Sequence, residues 1–256
     1  MPRQKAYQAP RTVKPNVVRE KGNVGFMKEK DKYLVDISAS LGRWLQGVIV
    51  GFVILKGLST QWYPGGTVFS ARDVGYDFWR NYLCDVMAPV ALNGQINTHA
   101  SILSGAGVGV LYLLGLLPVW WFLPMLWGGR RSVRLALRLF GGFSLLGMVL
   151  MLGEGMGYHP FSHAVVSAIA AGAGFTAMAL LVLWLPWSGY GTWRLRALEW
   201  WIVGLGILNL VTYLRTQWFQ APVTAFLPAS QKLVLIALLV WLWVLAVHLQ
   251  RPPSSR

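Results

Sequence analysis

Two imidazoles lie four residues apart in His159-Pro160-Phe161-Ser162-His163, a spacing at which paired histidines hold zinc in many metal sites. Completed by Glu154, or by Asp85 or His99, the pair would bind zinc with a carboxylate as general base, and the chemistry would be metal-dependent hydrolysis of a lipid at the outer leaflet. Two features weigh against it. The segment lacks the glutamate that a zincin motif carries between its histidines, and Pro160 suits the first turn of a helix, which leaves His159 in the loop before it. The same groups have a purely structural use, in which Asn97 caps the helix that follows it and His163 hydrogen-bonds Asp85 or a backbone carbonyl.

A second group of polar residues precedes these. Asp77, Asn81 and Asp85 recur every four residues, with Trp79 and Leu83 between them and Val86 directly after. On a helix the first three share one face and the others another. The pattern predicts an interfacial, amphipathic helix inside the long loop 59–97. Asn93, Asn97 and His99 follow it. Asn81, Asp85, Asn97 and His163 are expected to meet in space, because each would otherwise lie near lipid without a partner.

The run Arg80-Asn81-Tyr82-Leu83-Cys84-Asp85, followed by Asn97 at the head of a glycine-rich apolar stretch, resembles a family of six-helix bacterial membrane proteins of unknown function related to the damage-regulated autophagy modulator (DRAM) proteins. The resemblance spans roughly residues 40–250 in layout. It makes Asn81, Asp85, Asn97 and His163 the signature positions, and it implies six helices and no established enzymatic activity. The sequence departs from the pattern at Cys84, where the family has serine, and at Val86, where it has glycine.

The elements that must position these residues are legible in the composition. Hydrophobic residues make up 55% of the chain and charged residues 12%, about half the charged share of a soluble domain, and the mean hydropathy is +0.49. Apolar runs about as long as a bilayer core is thick occur near 41–58, 98–123, 135–153, 161–185, 197–214 and 232–250. An unpaired backbone is not tolerated in lipid, so each must be helical. The fold class is therefore all-α: a polytopic transmembrane bundle of six helices over 37–256, with a basic arm over 1–36. A helix start is expected around Asp36–Ser40, with an Asp or Ser side chain as cap. Residues 1–36 are polar, and the first apolar run begins too late for a cleaved signal peptide. The single cysteine, Cys84, excludes an intrachain disulfide.

Charge orients the bundle. Ten of the 23 Lys and Arg residues lie in the first 43 positions, and Arg130, Arg131, Arg134, Arg138, Arg194 and Arg196 fall on the same side of the predicted spans. Both termini are thus expected in the cytoplasm, with the chain multi-pass in the cell inner membrane. Trp120, Trp121, Trp184 and Trp187 sit near the proposed inner helix ends, where indoles settle. The arm suits anionic lipid or a cytoplasmic partner; nucleic acid is excluded, since no recognition module accompanies the charge. Asn209 is expected to bond a neighbouring helix, Glu199 to pair with Arg194 or Arg196, and His248 to face headgroups. Gly47, Gly51, Gly105, Gly109, Ala168 and Gly172 form small-residue stripes suited to close helix packing.

With almost no ionisable group near mid-membrane and no nucleotide loop or redox motif, the reading favours a non-enzymatic accessory or scaffold protein. Its expected partners are the lipid bilayer, a lipid ligand or other subunits of a membrane complex, and no cofactor is needed. The alternatives are the zinc-dependent lipid hydrolase and a small-molecule transporter or sensor.

Overall fold

The computed structural model describes residues 21–126, 130–154, 160–188 and 193–251, with side chains described at 33, 35–126, 130–151, 165–184, 193–216 and 218–251. Helix α1 runs Lys21–Gln61. The second span is built from α2 (Thr98–Gly109), a π-helical segment (Val110–Leu116) and α3 (Leu117–Leu126). Then follow α4 (Arg131–Glu154), α5 (Pro160–Ser188), α6 (Trp193–Trp218) and α7 (Phe226–Gln250). Among the described residues six stretches are long and apolar enough to cross a membrane: Val35–Gln61, Thr98–Leu126, Arg131–Met151, Val165–Trp184, Trp193–Thr216 and Phe226–Gln250. The protein is an all-α bundle of six membrane-spanning helices.

Each span packs on its neighbours in sequence, and α7 returns to lie along α1. The six spans therefore form a closed ring. Inside it Leu45, Leu123, Leu137, Leu181, Trp241 and Leu245 are buried in one continuous core. The outer faces carry Val50, Ile54, Leu113, Leu146, Val149 and Leu183, all exposed, as suits surfaces solvated by acyl chains.

Local chemistry sets where the helices start, stop and distort. α1 does not begin near Asp36–Ser40; its backbone is helical from Lys21 and passes unbroken through the expected arm boundary. Ser38 therefore lies within α1, where it donates to the Leu249 carbonyl of α7 at 2.8 Å. α7 stops at Gln250 because Arg251 precedes Pro252, and a residue before proline is pushed to the extended conformation it shows (φ −76, ψ 145). In the second span, Pro118 has no N–H to offer the Leu114 carbonyl four residues back. The helix widens there into the π segment, closed by the Leu117 amide on Tyr112 O, and the orphaned Leu114 carbonyl takes the indole N–H of Trp44 at 2.7 Å.

The small-residue stripes pack differently from expectation. An added Cβ at Gly47, Gly109 or Gly172 would meet nothing, whereas at Gly147 it would lie 2.9 Å from the Ala170 backbone. Close approaches occur instead between α4 and α5, where Ser144 also donates to Ala170 O at 2.8 Å, and between α1 and α7, where an added Cβ at Gly42 would meet the Ala246 carbonyl.

Candidate functional site

The loop 62–97 folds into a compact cap over one end of the ring. It contains no amphipathic helix; its one helical turn is the 3-10 turn Asp85–Met87, so the expected interfacial helix is corrected. The recurrence of Asp77, Asn81 and Asp85 marks successive turns instead. Asp77 Oδ1 accepts from the amides of Trp79 (2.8 Å) and Arg80 (3.1 Å), Asn81 Oδ1 from that of Asp77 (2.8 Å), and Asp85 Oδ2 from that of Tyr82 (2.7 Å). Short Asx side chains stabilise turns in this way. Gly65 and Gly66 take positive φ of 133° and 85°, and isolated bridges Gly65–Val74 and Val90–Ile96 tie the cap together.

Asn81 is the hub. It is fully buried, and its Nδ2 donates to Gly66 O (2.7 Å) and Asp85 Oδ2 (3.1 Å). Asn97 occupies the first position before α2 without capping it by its side chain; its Nδ2 donates to Val86 O (3.1 Å) and Ala88 O (2.8 Å). Asn81 and Asp85 are thus in direct contact, and Asn97 is tied to the carbonyl of Val86, the residue after Asp85. His99 is exposed, its ring edge-on to Trp62 at 5.9 Å. His159 and the side chains of Glu154 and His163 lie outside the described residues, and with them the zinc ligand set.

Two lysines that the sequence reading counted only as loop-side charges hold the cap to the ring. Lys56 of α1 donates to Leu83 O (2.9 Å) and Ser104 Oγ of α2 (2.5 Å). Lys232 is 1% exposed. It lies inside α7 rather than at its start, donates to Asn81 O and to Pro228 O, and stands over the rings of Tyr76 and Phe78. Gln231 Oε1 accepts from the Leu83 amide at 3.3 Å. The Leu83 peptide is therefore gripped from α1 and α7 together.

Beneath the cap is a cavity of about 260 Å³. Leu83, Cys84 and Met87 roof it, Lys56 and Gln231 line its capped end, and Phe175, Leu238 and Trp241 line its depth. Gln231 and Trp241 lie on one helix, so at a rise of 1.5 Å per residue the cavity runs for about 15 Å. Burial pushes the Cys84 thiol up to about 12, which keeps it protonated near neutrality and unsuited to act as a nucleophile.

Comparison of the chain with models of protein families, with curated proteins and with solved structures finds no match in any of the three. The resemblance of Asn81, Asp85, Asn97 and His163 to the six-helix family thus stands on those residues alone.

At the opposite end of the ring Glu199 is buried. It does not pair by salt bridge with Arg194 or Arg196 among the described residues; its Oε1 accepts the Trp241 indole N–H at 2.9 Å. Asn209 makes the expected interhelical bond, to Ser230 Oγ at 2.8 Å. His248 is buried rather than facing headgroups.

Asp85 sets a pH dependence. Loss of hydration pushes its carboxyl from 3.8 up to about 6, against hydrogen bonds from Asn81 and the Tyr82 amide and the charges of Lys232 and Lys56. A carboxyl that holds its proton more tightly in the folded chain makes that state lose stability as pH rises from about 4 to about 6. The expected loss is on the order of 3 kcal/mol, flat above that window. Asp85→Asn keeps an acceptor for the Tyr82 amide and should abolish the slope. Asp85→Ala should abolish it too, but with a further cost of about 1–3 kcal/mol for donors left unpaired. Melting temperatures in detergent from pH 4 to 7 provide the check; an unchanged slope in Asp85→Asn would sink this account.

Proposed function

We propose that this chain is a non-enzymatic, multi-pass component of the cell inner membrane that binds a lipid inside its helix ring. In this reading it serves a larger membrane assembly as an accessory subunit. The observation that carries the reading is the cavity. A space of about 260 Å³ exceeds the ~150 Å³ of apolar cavities that bind benzene, and its walls are mostly aliphatic and aromatic with a few polar groups at one end, as in small-molecule sites. Its floor and sides lie among residues of all six spans, so an occupant would lie between the helices at membrane depth.

Orientation follows from the basic residues. The Lys and Arg of the first 43 positions, with Arg130 and with Arg131, Arg134 and Arg138 at the start of α4, support cytoplasmic termini and a cap on the outer side. The helical extension of α1 ahead of Val35 supports a docking element for a cytoplasmic partner or anionic lipid.

The test is extraction. Protein purified in mild detergent should retain close to one lipid per chain, measured by mass spectrometry of the organic extract. Ala171→Phe, which fills the cavity from α5, should lose that lipid while remaining monodisperse. Wild-type protein that carries no apolar molecule, or a variant that carries as much as wild type, would refute the reading.

A further inference from the structure

We propose that Lys56 selects the occupant of the cavity, and that this occupant is a single-chain amphiphile with an anionic head, a carboxylate or a phosphate monoester. Its head would meet Lys56 and its chain would run towards Trp241. This rests on the lipid-binding reading above and adds the chemical class of the ligand.

The first ground is charge balance. The buried part of the cap holds two cations, Lys56 and Lys232, against one carboxylate, Asp85. The other acids nearby are engaged elsewhere: Asp73 and Asp77 are each 3.9 Å from Arg80. Among the described residues no carboxylate lies within salt-bridge distance of either lysine. Buried charges are ordinarily paired, and in the buried part of the cap Lys56 and Lys232 outnumber the one carboxylate by a single positive charge.

The second ground is access. Lys232 is sealed by the carbonyls of Asn81 and Pro228 and by the rings of Tyr76 and Phe78. Lys56 instead lines the cavity. An ammonium has three N–H groups; Leu83 O and Ser104 Oγ take two, and the third has no partner among the described residues. Gln231 lines the same end, and since its Oε1 is occupied by the Leu83 amide, its NH2 remains as a second donor. Two donors, one of them charged, above an apolar shaft of about 15 Å match an oxyanion on a hydrocarbon chain.

The experiment uses full-length protein in nanodiscs at pH 7.5 and four probes of equal chain length: dodecanoate, dodecyl phosphate, dodecanol and dodecylamine. Each competes with a fluorescent fatty acid. Charge-assisted hydrogen bonds predict that at least one of the two anions binds ten- to a hundredfold more tightly than dodecanol, with the amine weakest; the stronger anion identifies the head. Lys56→Gln should bring the anions down to the level of dodecanol and leave dodecanol unchanged. If that variant does not fold, the wild-type series decides alone. Equal binding of anions and alcohol would overturn the role of Lys56 and leave the cavity as a lipid site. Failure of all four probes would remove the lipid-binding reading itself, and this inference with it.

Discussion

Replacing Asn81 with alanine should lower the stability of the folded protein by about 3–4 kcal/mol, the largest loss expected from a single side chain in the cap. Three hydrogen bonds go at once: to Gly66 O, to Asp85 Oδ2 and from the Asp77 amide. All are made by a side chain with no access to solvent, so the groups left behind keep their desolvation cost without a partner. Asn81→Asp should be at least as damaging, because it sets a second carboxylate against Asp85 where the amide now stands at 3.1 Å. The measurement is the thermal midpoint in detergent, with limited proteolysis to show that cleavage is gained within 62–97. Midpoints close to wild type for both variants would mean that Asn81 does not hold the cap together.

The second large effect is expected at Gly66. Its φ of +85° disfavours any residue with a Cβ, and an added Cβ would lie 2.6 Å from the carbonyl carbon of Leu92 and 2.8 Å from its Cβ. Strain of about 1–2 kcal/mol and overpacking of about 1–3 kcal/mol act together in Gly66→Ala. Gly75→Ala is the matched control: its φ is +70°, but an added Cβ there meets nothing. That variant should show the strain alone, about 1 kcal/mol. Equal losses in the two variants would show that the contact between Gly66 and the Leu92–Asn93 turn has no energetic weight.

The six spans were readable because an apolar run of bilayer length admits one backbone solution. Their edges were less so, since hydropathy cannot register a helix such as α1 that continues into polar sequence, or a span such as α7 that begins before its densest apolar residues. The cap was misread for a specific reason. A spacing of four is shared by a helix face and by a chain of Asx turns, and Asp, Asn and Gly favour the latter. Gly65, Gly66, Gly75 and Asn93-Gly94 carried that signal. Lys56 and Lys232 were visible as residues, but their convergence was not. They stand 176 positions apart in sequence, and only the packing of α7 against α1 brings them to one loop. The resemblance to the six-helix family pointed to Asn81, Asp85 and Asn97, which the structure places in the cap, but not to the lysines or the cavity beneath.

That closure of the last span onto the first also fixes the order in which the protein can be made. The cap loop leaves the ribosome well before the lysine that locks it, since Asn81 and Lys232 are separated by 151 residues. At typical elongation rates of about 5–20 residues per second, roughly 8–30 s pass before Lys232 exists. Over that interval the second to fifth spans are still being made, and the cap lacks the contacts that Gln231 and Lys232 give it. Insertion of α7 is the step that closes the ring and locks the cap over it.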